Sequence, residues 1–173
     1  MAIINVSIGT KDLEQLIFDE VNSGSDSIEK QGLVFPTEPQ IFRHVDLKDY
    51  GRADLIAIGA EANELYVCVY NFYSQAVDQD ELDELLENLG GVYHWLKSYN
   101  KLVDVSRVNI FGFMIARSFS IRLLGWLRGA VSFIEWEFDH VNGLKFNDLS
   151  YMYYSERTAG EVEIELPYVP LKL

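Results

Sequence analysis

Cysteine is nearly absent from this chain: Cys68 is the one thiol among 173 residues. An internal disulfide is excluded, and a reducing compartment suits the sequence. Prolines fall only at positions 36, 39, 167 and 170, so Gln40 to Leu166 runs without the strongest backbone breaker. No apolar run approaches the roughly 18 residues needed to cross a bilayer, and no membrane association is expected. The opening Met-Ala-Ile-Ile-Asn-Val lacks the basic segment and the length of a secretory signal, which points to the cytoplasm. Positive charge is scarce too, with 14 bases against 27 acids and a net charge of −13. Duplex DNA binders usually show the opposite balance, because their affinity comes from Lys and Arg displacing counterions. Nucleic acid is therefore a disfavoured partner, and a protein partner or homo-oligomer is the expectation.

What is present is a core. Hydrophobic residues make up 49% and aromatics 13% of the chain. A chain of this length buries about 70% of its unfolded surface as one domain, here residues 1–173. Residues 2 to 8 alternate weakly as a short strand. Thr10 suits a helix N-cap, and Lys11 to Val21 places Leu13, Leu16, Ile17 and Val21 on one face. Asn22 to Glu29, rich in Ser, Gly and Asp, reads as a loop. Gln40 to Leu47, Arg52 to Ile58 and Glu64 to Phe72 read as strands, the last two joined by a polar turn over Gly59 to Asn63.

The third of these strands is apolar on both faces, with Leu65, Val67 and Val69 on one and Tyr66, Cys68, Tyr70 and Phe72 on the other. Such strands belong to sheets covered by helices on both sides. Asp78 to Ser98 follows as a long amphipathic helix with Gly90 and Gly91 as a place to kink. Val108 to Ala116 is a strand, Ser118 to Leu127 a short helix, and Ala130 to Phe138 a strand. Leu149 to Tyr154 and Glu161 to Leu166 are β-rich. The order α-β-β-β-α-β-α-β predicts an α/β fold: a mixed β-sheet core flanked by helices.

Three segments carry a resemblance. Gly51-Arg52-Ala53-Asp54-Leu55-Ile56 leads into the strand Leu65 to Phe72, with an acidic amphipathic helix after it. Val108 to Ala116, a helix, and Val131-Ser132-Phe133-Ile134-Glu135 close the series. In order and spacing these resemble the PD-(D/E)XK nuclease superfamily. The resemblance implies a restriction-endonuclease-like α/β/α sandwich over about residues 10–138, with a β-rich C-terminal extension at 139–173. It also implies a divalent metal held by an aspartate, by an acid on the following strand and often by a carboxylate on the first helix. A lysine two residues beyond the strand acid completes such sites.

Carried onto this chain, Asp54 matches the metal-binding aspartate, and Glu14 or Glu20 matches the helical carboxylate. The acid-x-lysine position falls on Val69-Tyr70-Asn71 or Tyr70-Asn71-Phe72, which hold neither an acid nor a lysine. Asn71 is the polar remnant there. Mg²⁺ demands hard oxygen ligands in near-octahedral geometry, which valine and tyrosine do not supply. Glu64 is no substitute, since six residues of strand carry it about 20 Å away. The leading expectation is thus a catalytically depleted nuclease-like domain without a cofactor, acting as a protein-interaction or assembly component, with a phage accessory or virion protein as one setting. The first alternative is a DNA or RNA endonuclease with a rearranged site, using Mg²⁺ or Mn²⁺ on Asp54 with Glu14 or Glu20. The second is an acidic nucleic-acid mimic or anti-defence protein.

Other residues have plainer readings. Asp54 can equally be a structural acid paired with Arg52 or a backbone amide. His44 and Asp46 alternate on one strand face, a two-ligand pattern too small for a metal site. His94, between Tyr93 and Trp95, reads as a packing residue. Arg117, Arg122 and Arg128 read as surface bases. The acidic run containing Asp80, Glu84 and Glu87 suits a helix N-terminus, with an acidic docking surface as the functional alternative. Tyr151, Tyr153 and Tyr154 suit a subunit interface.

Overall fold

The computed structural model describes residues 8–98, 107–120, 123, 131–139, 141, 143–149 and 169–172. Helix α1 (Thr10–Asn22) comes first, followed by one turn of helix, α2 (Ser27–Lys30). Three strands follow: β1 (Gln40–Asp46), β2 (Arg52–Glu61) and β3 (Glu64–Phe72), with a 3-10 turn over Lys48–Tyr50 between the first two. Helix α3 (Gln79–Ser98) leads to β4 (Arg107–Ala116), β5 (Val131–Asp139), β6 (Gly143–Asp148) and β7 (Val169–Lys172). The strands lie in the order β1-β2-β3-β4-β5-β6, and β7 pairs with β4. Pairing is antiparallel from β1 to β3 and parallel at β3–β4 and β4–β5. It returns to antiparallel at β5–β6 and β4–β7.

Two hydrophobic cores sit on opposite faces of this sheet. On one face Leu82, Leu85, Val92 and Leu96 of α3 pack on Ile56, Val67, Val69, Val108 and Met114. On the other, Leu13, Ile17, Val21 and Ile28 pack on Leu55, Cys68, Tyr70, Ile115 and Trp136. The two-faced apolar pattern of β3 is therefore the pattern of a strand covered by helices on both sides, as expected. Leu13 and Ile17 are wholly buried, and each such side chain contributes about 1.5–3 kcal/mol. Among the described residues Tyr70 is the largest fully buried side chain. Its ring stacks between Phe35 and Phe113 at 4.9 and 4.8 Å, and its hydroxyl donates to the Val34 carbonyl at 2.6 Å.

Several local expectations change. Gly9 rather than Thr10 caps α1, its extended backbone offering the carbonyl that takes the Leu13 amide at 3.0 Å. The loop after α1 contains α2, because Ile28 is buried there and the turn lets it reach the core. The β2–β3 turn is shorter than Gly59 to Asn63. Only Ala62 and Asn63 form it, both with positive φ (50° and 63°), the two-residue turn whose twist matches the strands it joins. Helix α3 runs unbroken through Gly90 and Gly91. A Cβ at Gly91 would lie 2.4 Å from that of Tyr50, so this glycine admits the 3-10 turn against the helix. Ser118 to Ser120 are non-helical, and the Val77 amide bonds the Ser118 carbonyl. The strand expected at residues 2 to 8 and the tail segments Leu149 to Tyr154 and Glu161 to Leu166 lie largely outside the described residues.

Candidate metal centre

Asp54 stands near the start of β2. Pairing of Leu55 with Tyr70 brings it level with Asn71 of β3. The Asp54 amide donates to Asn71 Oδ1 at 3.1 Å, and Asp54 Oδ2 accepts the amide of the next residue, Phe72, at 2.9 Å. Behind Asn71 the polar chain continues. Asn71 Nδ2 donates to Asn88 Oδ1 at 2.7 Å, and Asn88 Nδ2 donates to the Tyr50 carbonyl at 2.7 Å. Both asparagines are buried. Gly51 belongs to this arrangement as well, since its φ is +87° and a Cβ there would lie 2.9 Å from Asn88 Nδ2. The glycine of Gly-Arg-Ala-Asp thus keeps clear the space in which α3 braces the Asp54 strand.

Glu14 approaches from α1. It is the polar member of that helix's buried face and is 6% exposed. Its Oε1 accepts from Arg43 Nη2 at 3.2 Å and from His44 Nε2 at 3.1 Å. A buried carboxylate needs such partners, since an unpaired one is expensive to desolvate. Arg43 is held further by Gln15 Oε1 at 2.9 Å and by the ring of Phe18. His44 reaches inward because β1 is distorted there. Arg43 pairs with Leu55 and Val45 with Ala53, leaving His44 across from Asp54 with φ at +50°. Arg52 donates through Nη2 to His44 Nδ1. These contacts set Nε2 against a carboxylate oxygen and Nδ1 against a guanidinium donor.

Together Glu14, His44 and Asp54 each offer one ligand atom within 4.8 Å of the other two. Partial burial is the main influence raising the Asp54 carboxyl above its ordinary range. The Phe72 amide pulls it down, the Glu14 charge pushes it up, and His44 and Arg52 pull it down. Glu84, at the surface of α3, is raised as well, first by local desolvation and then by the Asp54, Glu81 and Glu87 charges. Within the cluster it is Asp54 whose carboxyl is perturbed, in a partly desolvated position beside a second acid. Two carboxylates and an imidazole are a chemically sound donor set for a divalent cation.

Of the residues singled out in the sequence, Asp54, Glu14 and Asn71 come together. Glu20 does not: its Oε2 accepts from Ser27 Oγ at 2.8 Å, two turns further along α1, and Glu14 is the helical carboxylate. The β3 residue level with Asp54 is Asn71, beyond Val69 and Tyr70, to which the resemblance carried the strand acid. Tyr73 donates to the Glu81 carbonyl at 3.3 Å, and burial pushes its phenol up. Asp46 is not the partner of His44; it takes the Lys48 amide at 2.9 Å. Glu64 stands at the far end of β3 with Arg107, Tyr66 and Asn109, as its distance in sequence implied.

His94 stacks on Tyr50 at 5.4 Å, the packing role expected of it. Arg117 lies 4.2 Å from the Trp136 ring centroid, while Arg122 and Arg128 are outside the described residues. Asp80, Glu84 and Glu87 are exposed on α3, and Glu81 caps its start by accepting the Asp78 amide at 3.0 Å. Tyr151, Tyr153 and Tyr154 lie outside the described residues. His44, paired with Asp46 in the sequence, instead joins Glu14 and Asp54, a grouping the sequence did not disclose because these residues stand on other elements. Asn88 left a fainter signal, as an amide on the apolar stripe of Leu85 and Val92.

No family model and no curated protein matches this sequence. Among solved structures the chain is similar to a repair endonuclease from Pyrococcus abyssi, with a TM-score of 0.46 and 14% identity over 76% of this chain and 48% of that one. It is also similar to EndoMS in its complex with double-stranded DNA, with a TM-score of 0.42 and 14% identity over 73% of this chain and 45% of that one. The chain therefore spans less than half the length of either. Its own sheet and helical layers are those of an α/β fold with a mixed sheet between helices.

Proposed function

We propose that this chain is a divalent-cation-dependent nuclease domain with a rearranged ligand set, in which Asp54, Glu14 and His44 hold the cation. The observation that carries this reading is the convergence of their three ligand atoms within 4.8 Å, from α1, β1 and β2. The rearranged-site alternative from the sequence gains weight here, because a second acid does stand beside Asp54. A bound dication lowers the pKa of its water and stabilises charge on a phosphoryl group. The residues themselves do the positioning. The Phe72 amide fixes the Asp54 carboxylate, Arg43 and His44 fix that of Glu14, and the exposed Arg52 guanidinium offers donors for a phosphate oxygen.

The test is cleavage of single- and double-stranded DNA and RNA with Mg²⁺, Mn²⁺ or Co²⁺, with Asp54→Ala as control. Cation-dependent cleavage that disappears in the variant supports the proposal. Absence of cleavage with every cation and substrate sinks the nuclease assignment.

A second reading, a depleted domain that binds protein, is favoured by Asn71. An amide faces Asp54 where an acid would complete the site, and it is tied to Asn88 as a structural brace. On that reading the exposed acids Asp80, Glu84 and Glu87 form the docking face of α3. Reversing two of these charges then weakens self-association or partner capture, and unchanged association counts against it.

A further inference from the structure

We infer that His44 makes this centre selective for the imidazole-preferring dications Co²⁺, Ni²⁺ and Zn²⁺ over Mg²⁺. The inference rests on the metal-centre reading above and names the class of cation that the centre takes. Three observations support it.

The first is the state of β3. Asn71 is spent on both ends, its Oδ1 on the Asp54 amide and its Nδ2 on Asn88. Level with Asp54, that strand offers no anionic oxygen. The third donor has to come from the other neighbour of β2, which is β1, and the residue there is a histidine. Mg²⁺ prefers an all-oxygen shell, whereas imidazole nitrogen suits Co²⁺, Ni²⁺ and Zn²⁺.

The second is the backbone of His44. Five non-glycine residues have positive φ among those described: Glu38, His44, Lys48, Ala62 and Asn63. Four stand in turns or bends, and His44 alone lies within a strand. A left-handed conformation is sterically unfavourable for an L-residue. Unpaired residues of this kind re-aim a side chain. Here the distortion directs the imidazole to Glu14, at 3.1 Å.

The third is that the nitrogen is accessible to exchange. Nε2 donates to Glu14 and Nδ1 accepts from Arg52. A cation at Nε2 requires the ring proton to sit on Nδ1, which turns the Arg52 donor away. Arg52 is exposed, so this exchange disrupts only a surface contact. Loading the centre therefore frees a guanidinium at its edge.

The experiment is calorimetric titration of tag-free, chelator-treated protein with Ni²⁺ and with Mg²⁺, using the parent, His44→Ala, Asp54→Asn and, as a control on α3, His94→Ala. Thermal unfolding of each variant establishes that it is folded. Co²⁺ visible absorption, sensitive to the loss of a nitrogen donor, gives a readout independent of heat. The expected result is Ni²⁺ binding that weakens 10- to 100-fold in His44→Ala with Mg²⁺ binding changed less than 3-fold, and a Co²⁺ spectrum altered in that variant alone of the two histidine changes. Equal weakening for both ions, or no change in Ni²⁺ affinity or the Co²⁺ spectrum, overturns the role of His44. In that case loss of Ni²⁺ binding in Asp54→Asn still leaves the metal centre standing. Failure of the parent to bind either ion removes both. If His44→Ala does not fold, His44→Asn replaces it, supplying an oxygen or amide in place of the imidazole, and the same loss of Ni²⁺ preference is required.

Discussion

Replacing Asn88 by alanine tests the brace behind Asp54. Asn88 is 0% exposed and satisfies two groups at once: it accepts from Asn71 Nδ2 at 2.7 Å and donates to the Tyr50 carbonyl at 2.7 Å. Alanine leaves the buried Asn71 Nδ2 donor unpaired at about 1–3 kcal/mol, and the part-buried Tyr50 carbonyl at the low end of that range, about 1 kcal/mol. The better helix propensity of alanine returns roughly 0.5 kcal/mol. The net expectation is a loss of about 1.5–3.5 kcal/mol, read as a lower urea midpoint at unchanged slope. In a chain of this size that corresponds to a fall in Tm of roughly 3–14 °C. A cycle with Asn71→Ala sharpens the test, because both changes break the same hydrogen bond. The double variant should lose less than the sum of the singles by about 0.5–3 kcal/mol. A loss below about 0.5 kcal/mol for Asn88→Ala, or strict additivity in the cycle, would refute the view that α3 braces Asp54 through these two amides.

Three further outcomes are expected. Burial pushes the Cys68 thiol up to about 12 from an ordinary value of 9.0, so the native protein should resist thiol reagents at pH 8 and react fully once unfolded; rapid native labelling would contradict the packing of β3. Because the folded state keeps a proton on Cys68 that the unfolded chain gives up, stability should fall as pH rises above 9, at up to about 1.4 kcal/mol per pH unit for this group; Cys68→Ala should flatten that decline in urea titrations, and an unchanged slope counts against it. Tyr70→Phe removes the hydroxyl that meets the Val34 carbonyl at 2.6 Å and should cost about 1–3 kcal/mol while leaving the ring stack in place, measured as an equilibrium unfolding difference.

Where the sequence was legible and where it was not follows from the range of the forces involved. The double-sided apolar pattern of β3 and the stripe of leucines in α3 are local periodicities, and they sufficed to predict helices on both faces of a mixed sheet. Asp54 stood out because a lone acid between apolar residues of a strand is costly. The acidic start of α3 was legible for the same reason, since its Glu81 completes a cap three residues away.

The site itself was decided by tertiary contact. Choosing Glu14 over Glu20 needed the position of α1 against β1, which two acids six residues apart on one helix do not disclose. The level of Asn71 with Asp54 depends on a register set by the two-residue turn at Ala62 and Asn63, which is shorter than its composition suggests. His44 meets Glu14, 30 residues earlier, only because β1 is distorted beside Asp54. Sequence by itself determined the layers and the one conspicuous acid, because burial patterns repeat along the chain. The tertiary structure decided which polar groups share a centre, because charge pairing acts over a few ångströms between segments that the chain order keeps apart.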